Sequence, residues 1–264
     1  MMRIKRTGLI TILVVLLVGM SFSHGAEIEK KPVLHVQPNK IHIGSFFKGQ
    51  KVKIFGYVPV SWENIAIKIC GSRHDVALKR KGKVGVLWMN VGTVEVKHAP
   101  NFYLVATSAN INQLAPKPIL DQTEIGYEAL AKEIELHSTV PGDSPEFLFK
   151  HFVALKEKEG LYSILPKRIT FNKAENKNLK AFSLELIAPA KIPPGEYKVT
   201  LYGFDNGQLM GSLESFFHVE LVGFPAFCRN LAFKHSLIYG ILAVVLAIIV
   251  GFLMGVVFGS KGGH

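Results

Sequence analysis

Alternation of apolar and polar residues dominates the middle of the chain. Ile41 and Ile43, then Val52, Ile54 and Val58, then Ile65, Ile67 and Ile69 each fall on one face of an extended segment, mostly with polar residues between them. That period of two predicts short strands with one buried face. Val76-Ala77-Leu78 and Val84 to Trp88 read as two further strands joined by a hairpin-like turn at Lys81-Gly82-Lys83, and Phe102 to Thr107 as another. Tyr197, Val199 and Leu201 alternate up to Phe204-Asp205-Asn206-Gly207, and Leu213, Ser215, Phe217, Val219 and Leu221 alternate after it. Asn-Gly between two such runs predicts a two-residue hairpin, because both central residues of a type I′ turn need positive φ.

Helical spacing interrupts this pattern. Asp121, three residues before Glu124, resembles a capping box and predicts a helix over 121–136 that carries Ile125, Leu130 and Ile134. Ser144 before Pro145 predicts a second start, with Leu148, His151, Phe152 and Leu155 on one stripe and Gly160 as the stop. The expected fold is therefore mainly β: an immunoglobulin-like β-sandwich with a helical insert. Its first β part is 26–115, the insert 116–162 and the second β part 163–223. The second part has few strands to stand alone, so one composite sandwich drawn from both parts is the alternative. The Cys…Trp…Cys arrangement of true immunoglobulin domains is missing, so the likeness is architectural.

The two ends are patterned differently. Arg3, Lys5 and Arg6 precede an apolar run from Gly8 to Met20 and small residues around Ser21, Ser23 and Gly25, the layout of a secretory signal peptide over 1–25. An uncleaved signal anchor is the alternative. After a juxtamembrane segment, 224–236, Leu237 to Phe258 carries no charge, and at ~1.5 Å per residue it covers the ~30 Å hydrocarbon core of a bilayer. Residues 237–258 are thus expected to form one transmembrane helix, with 259–264 as a cytoplasmic tail and 26–236 on the far side. Ala243, Ala247, Gly251, Gly255 and Gly259 recur every fourth position and line one face of that helix, where a second helix can approach closely.

These ends account for the composition. Across 264 residues the apolar share is 48% and the net charge +11, with a mean hydropathy of +0.26. Part of the apolar content belongs to the leader and the span, and three positive charges leave with a cleaved leader. Two cysteines exclude a disulfide-dense scaffold and a four-thiolate zinc or iron–sulfur site.

Local signs of chemistry are sparse. Neither GxSxG, HExxH, CxxC, GxGxxG nor a phosphate-binding loop occurs, so no catalytic residue, metal ligand or cofactor is assigned. His35, His42 and His218 sit at solvent-facing strand positions, and His151 reads as a core or interface histidine. Cys70 shares the polar face of its strand with Lys68. With His74 it gives a metal or redox alternative, and with Cys228 a disulfide alternative. The densest charge feature is Lys79, Arg80, Lys81 and Lys83, which reads either as a solvated hairpin tip or as a contact for a small anion or lipid headgroup. Nucleic acid is not an expected partner, because the run is short, lacks interleaved aromatics and is placed outside the cytoplasm.

The stretch from His74 through Trp88-Met89-Asn90, together with Ala99-Pro100-Asn101-Phe102-Tyr103 to Ser108, resembles an uncharacterised family of transmembrane proteins described mainly from alphaproteobacteria. Ile43 to Gly56, Ile192-Pro193-Pro194-Gly195-Glu196-Tyr197 and the terminal span fit the same layout. Where the family pattern carries Arg-Gly-Pro, this chain has Cys70-Gly71-Ser72-Arg73, which speaks against a family role for Cys70. The resemblance implies a single-pass protein of the bacterial inner membrane with a periplasmic domain, associated with sulfite-exporter-like membrane proteins. It implies no catalytic residue. The expected function is that of a non-enzymatic accessory or assembly subunit, with an integral membrane partner or a second copy held through the span; a periplasmic binding module for a small anion is the alternative.

Overall fold

The computed structural model describes residues 31–172 and 178–259. The expected signal peptide and residues 260–264 of the expected tail lie outside the described residues. The chain first lays down β1 (Val33–Gln37), β2 (Lys40–Ile43), β3 (Gln50–Pro59) and β4 (Asn64–Cys70). A long antiparallel ribbon follows, β5 (Arg73–Val84) with β6 (Leu87–Pro100), and then β7 (Tyr103–Thr107). Three short helices, α1 (Ile111–Leu114), α2 (Lys117–Gln122) and α3 (Tyr127–Leu130), lead to β8 (Glu135–Ser138) and the longer α4 (Pro145–Lys158). After them come β9 (Tyr162–Leu165), β10 (Thr170–Asn172), β11 (Leu179–Ala188), β12 (Gly195–Asp205) and β13 (Gln208–Leu221), and finally α5 (Phe224–Lys234) and α6 (Ser236–Gly259).

The strands form a four-stranded sheet β1-β3-β11-β10, a six-stranded sheet β2-β13-β12-β4-β7-β9 and a three-stranded sheet β5-β6-β8. Both larger sheets mix strands from 26–115 with strands from 163–223, so neither stretch builds a sheet alone. Val52, Ile54 and Val58 of β3, Leu184 of β11, Ile65, Ile67 and Ile69 of β4, and Val199 and Leu201 of β12 all enter one hydrophobic core. Burying each such side chain contributes roughly 1.5–3 kcal/mol. The alternation in the sequence thus marks the core face of each strand.

The β12–β13 hairpin turns at Asn206 and Gly207, with φ of 48° and 76°, the two positive values that a type I′ turn requires. Upstream of it the register slips between Gly203 and Phe204. There the indole of Trp62 lies over Gly203 and Gly211, in space that a Cβ at Gly203 would fill. α4 starts as expected, with Ser144 Oγ accepting a hydrogen bond from Phe147 N at 3.2 Å and Pro145 in the first turn. Its buried side chains are Leu148, Phe152 and Val153. His151 and Leu155 are exposed, so His151 is not the core histidine that the stripe suggested.

Three expectations are corrected. The helix expected over 121–136 is broken: Thr123 caps α2, Glu124 and Gly126 adopt φ of 53° and 100°, and Glu135–Ser138 pairs with β6 as a strand. Ile125, Leu130 and Ile134 are still buried, but loops and one turn of helix deliver them. The hairpin expected at Lys81-Gly82-Lys83 turns instead at Gly85-Val86, with Gly85 at φ 63°, the first central position where a type II′ loop favours glycine. Lys68 is no solvent-facing residue. β4 is buried on both faces, and Lys68 is only 8% exposed, because the segment carrying α1 to α3 covers the face opposite the core.

Candidate functional site

The six-stranded sheet sorts its exits to one end. β4 and β13 both run antiparallel to β12, so they point the same way, and β2 lies parallel to β13. All three strands therefore finish at the end where β12 begins with Gly195. β13 passes there into α5 and α6, β4 passes through Gly71-Ser72 into the β5–β6 ribbon, and β2 passes into the loop that carries Phe46. Ser72 stands beside Gly195, its Oγ 3.6 Å from where a Cβ there would lie. Tyr197 closes the core at this end, stacked on Phe217 at 5.0 Å and edge-on to Phe102 at 5.6 Å.

The ribbon is shaped by two irregularities. Register shifts between His74 and Val76, where Asp75 Oδ1 accepts a hydrogen bond from His98 N at 3.0 Å. It shifts again between Arg80 and Lys81, leaving Val91 as the extra residue on β6. β8 covers the β6 edge from Val94 to Lys97, and α4 packs against β5 near Leu78 and Arg80. Beyond these supports the two strands run free to the turn, roughly 15 Å at ~3.3 Å per residue.

Lys79, Arg80, Lys81 and Lys83 all lie on β5, where alternation splits them. Lys79, Lys81 and Lys83 share the exposed face, and among the described residues none of them forms an ion pair; Lys79 Nζ donates to Thr93 Oγ1 at 3.1 Å. Arg80 points the other way. Its Nε lies 3.3 Å from Asp143 Oδ2, and its guanidinium sits 5.3 Å from the Phe147 ring centroid. The Arg80 guanidinium, helped by the Ser138 hydroxyl, holds the Asp143 carboxyl below the usual carboxylate range. Arg80 thus ties the ribbon to the start of α4, and the three lysines face outward.

The tip itself is apolar. Val86 and Trp88 are 88% and 73% exposed, and Val84, Leu87, Met89 and Val91 are exposed beside them. Phe46 and, on α5, Phe224 and Phe227 are exposed on the other two exits from the same end. Reading Val84 to Trp88 as a strand does not reveal this exposed tip, because the turn falls inside that segment at Gly85-Val86. The available signal was a run of apolar residues with no polar alternation, next to three lysines.

A second cluster lies under α2. Lys68 Nζ donates to Thr123 O at 2.7 Å and to Glu124 Oε2 at 3.1 Å, and Arg73 Nη2 donates to Glu124 Oε1 at 2.8 Å. Tyr103 OH donates to Glu124 O at 2.7 Å and accepts from Gly126 N at 2.9 Å; burial pushes its phenol far above the usual range. The arrangement clamps the strained turn at Glu124 onto β4 and β7. Cys70 lies nearby, and burial raises its thiol above the ordinary value, which keeps it protonated and weakly nucleophilic at neutral pH. Cys70 and Cys228 are both free. His74 is exposed on β5, and among the described residues no group of three or more His, Cys, Asp or Glu side chains is placed to hold a metal ion. His35, His42 and His218 are exposed, as their strand positions suggested.

α6 carries an apolar stretch, Ser236–Phe258, of 23 residues with mean hydropathy 3.1 and none of it buried. Ala243, Ala247, Gly251 and Gly255 lie on this helix, and a Cβ added at Gly251 or Gly255 would meet no other part of the fold within 4 Å; Gly259 is its last residue. The model of one protein family, described as Putative transmembrane protein (Alph_Pro_TM), matches residues 32–260. No curated protein matches the chain.

Proposed function

The chain belongs to the Alph_Pro_TM family of transmembrane proteins, and from that premise we propose that it is a non-enzymatic accessory or assembly subunit of an integral membrane partner. In this reading α6 anchors it once in the bacterial inner membrane. The two larger sheets form an immunoglobulin-like sandwich on the periplasmic side. The observation that carries the proposal is the span itself, which is apolar all round and unburied, with small residues at 243, 247, 251 and 255 on one face. Small faces favour helix–helix contact in lipid, where apolar surface alone supplies no preference for protein over lipid.

The anion-binding alternative retains Lys79, Lys81 and Lys83, which face outward, whereas Arg80 is occupied by Asp143. Cross-linking in native membranes followed by purification tests the main reading. The expected result is a captured integral membrane protein or a second copy, lost in a Gly251→Leu, Gly255→Leu double variant, whose added side chains meet open space within the fold. A lone monomer with no cross-linked product would overturn it.

A further inference from the structure

We propose that the tip of the β5–β6 ribbon, Val84 to Val91 with Lys79, Lys81 and Lys83 behind it, docks into the anionic headgroup layer of the bilayer that α6 crosses. The inference rests on the anchored reading above and adds a second membrane contact, made by lipid rather than by a protein partner. Three observations carry it.

Direction comes first. β4 delivers the ribbon from the end of the sheet at which β13 delivers α5 and α6, so the free tip departs from the membrane-linked end of the domain. Chemistry comes second. An indole and aliphatic side chains at the turn, with Lys83 paired directly across from Trp88 and Lys81 and Lys79 further back along the same face, match the composition of an interface, where rings sit at headgroup level and ammonium groups meet lipid phosphates. A soluble tip would not need Val86 at 88% and Trp88 at 73% exposure. The lysines complement anionic lipid, and among the described residues no acidic side chain neutralises them.

The third observation is company. Phe46, at 92% exposure, and Phe224, at 69%, leave the same end on separate elements. On α5, Ala226, Arg229, Asn230, Phe233 and Lys234 line a groove against the base of β12 and β13, and Phe224 and Phe227 do not. Three exits from one end therefore offer aromatic side chains with positive charge near each: Lys48 beside Phe46, Arg229 and Lys234 on α5, and three outward lysines on the ribbon. A shared membrane plane accounts for all three, whereas a protein partner would have to match three separate projections.

Trp88 gives the test, since Trp62 is the other tryptophan and is buried. The full chain is reconstituted in nanodiscs of phosphatidylcholine with phosphatidylglycerol, with and without brominated acyl chains. The Trp88 signal is the difference between wild type and Trp88→Phe, a substitution at an exposed site that leaves the fold intact. Bromination should reduce that signal about twofold, as for an indole held at the interface. Lys79→Gln, Lys81→Gln and Lys83→Gln together, or high salt, should restore much of it by weakening attraction to the anionic surface.

Flotation with vesicles runs in parallel. A chain that floats but shows no quenching of Trp88 would overturn the inference and leave the anchored reading standing. A chain that fails to float would overturn both. An unquenched Trp88 in nanodiscs, with a photocross-linker at Leu87 capturing a polypeptide in native membranes, would also overturn it, because the tip would then be a protein-docking surface.

Discussion

A single carboxylate, that of Glu124, faces Lys68 at 3.1 Å and Arg73 at 2.8 Å. Its backbone is held at φ 53°, a conformation that a non-glycine residue adopts at a cost. The network offsets that cost by satisfying an ammonium group with little access to water. Removing the carboxylate leaves Lys68 covered and short of its counter-charge, which is costlier than losing an exposed pair. Glu124→Ala should therefore destabilise the domain by about 3 kcal/mol. Lys40→Ala, which breaks an exposed pair with Glu220 at 3.4 Å, should cost less than about 1 kcal/mol. Thermal melts of the full chain in detergent compare the two, and equal shifts would show that the Glu124 network is not what clamps the turn.

At the scale of elements, the slipped register of β12 and β13 makes room for Trp62, which spans Gly203 and Gly211. Gly203→Ala should push the indole outward at a cost of about 1–3 kcal/mol, with a red shift of its emission read in a Trp88→Phe background. An unshifted spectrum would mean that the strands yield before the ring does. The core faces of β3, β12 and β13 and the Asn206-Gly207 turn were legible in the sequence, because alternation and a turn dipeptide are local signals. Lys68 was not legible, since what covers it is brought in by residues more than fifty positions away. The same holds for Glu135–Ser138, which is a strand because β6 offers it an edge, not because its own residues demand one. The candidate tip was half legible: its lysines stood out, but the role of Val86 and Trp88 depended on where the turn falls.

For the whole molecule, attachment depends on α6 remaining apolar through its length. An arginine at the centre of a span costs roughly 2.5–3.5 kcal/mol on insertion scales. Leu246→Arg with Ile249→Arg should therefore turn a carbonate-resistant protein into an extractable one. Retention of the double variant in the carbonate pellet would mean that contacts outside the span suffice to hold the chain.

The placement of β13 has a mechanical meaning. Any pull on α6 enters the domain through this strand, which is bonded on one side to β12 and on the other, in parallel, to β2 from the start of the described chain. Force along the strand loads both ladders in shear, so their hydrogen bonds resist together instead of opening one after another. A pull that reaches β13 through α5 is thus met by two ladders at once, at the strand where the domain joins its C-terminal helices.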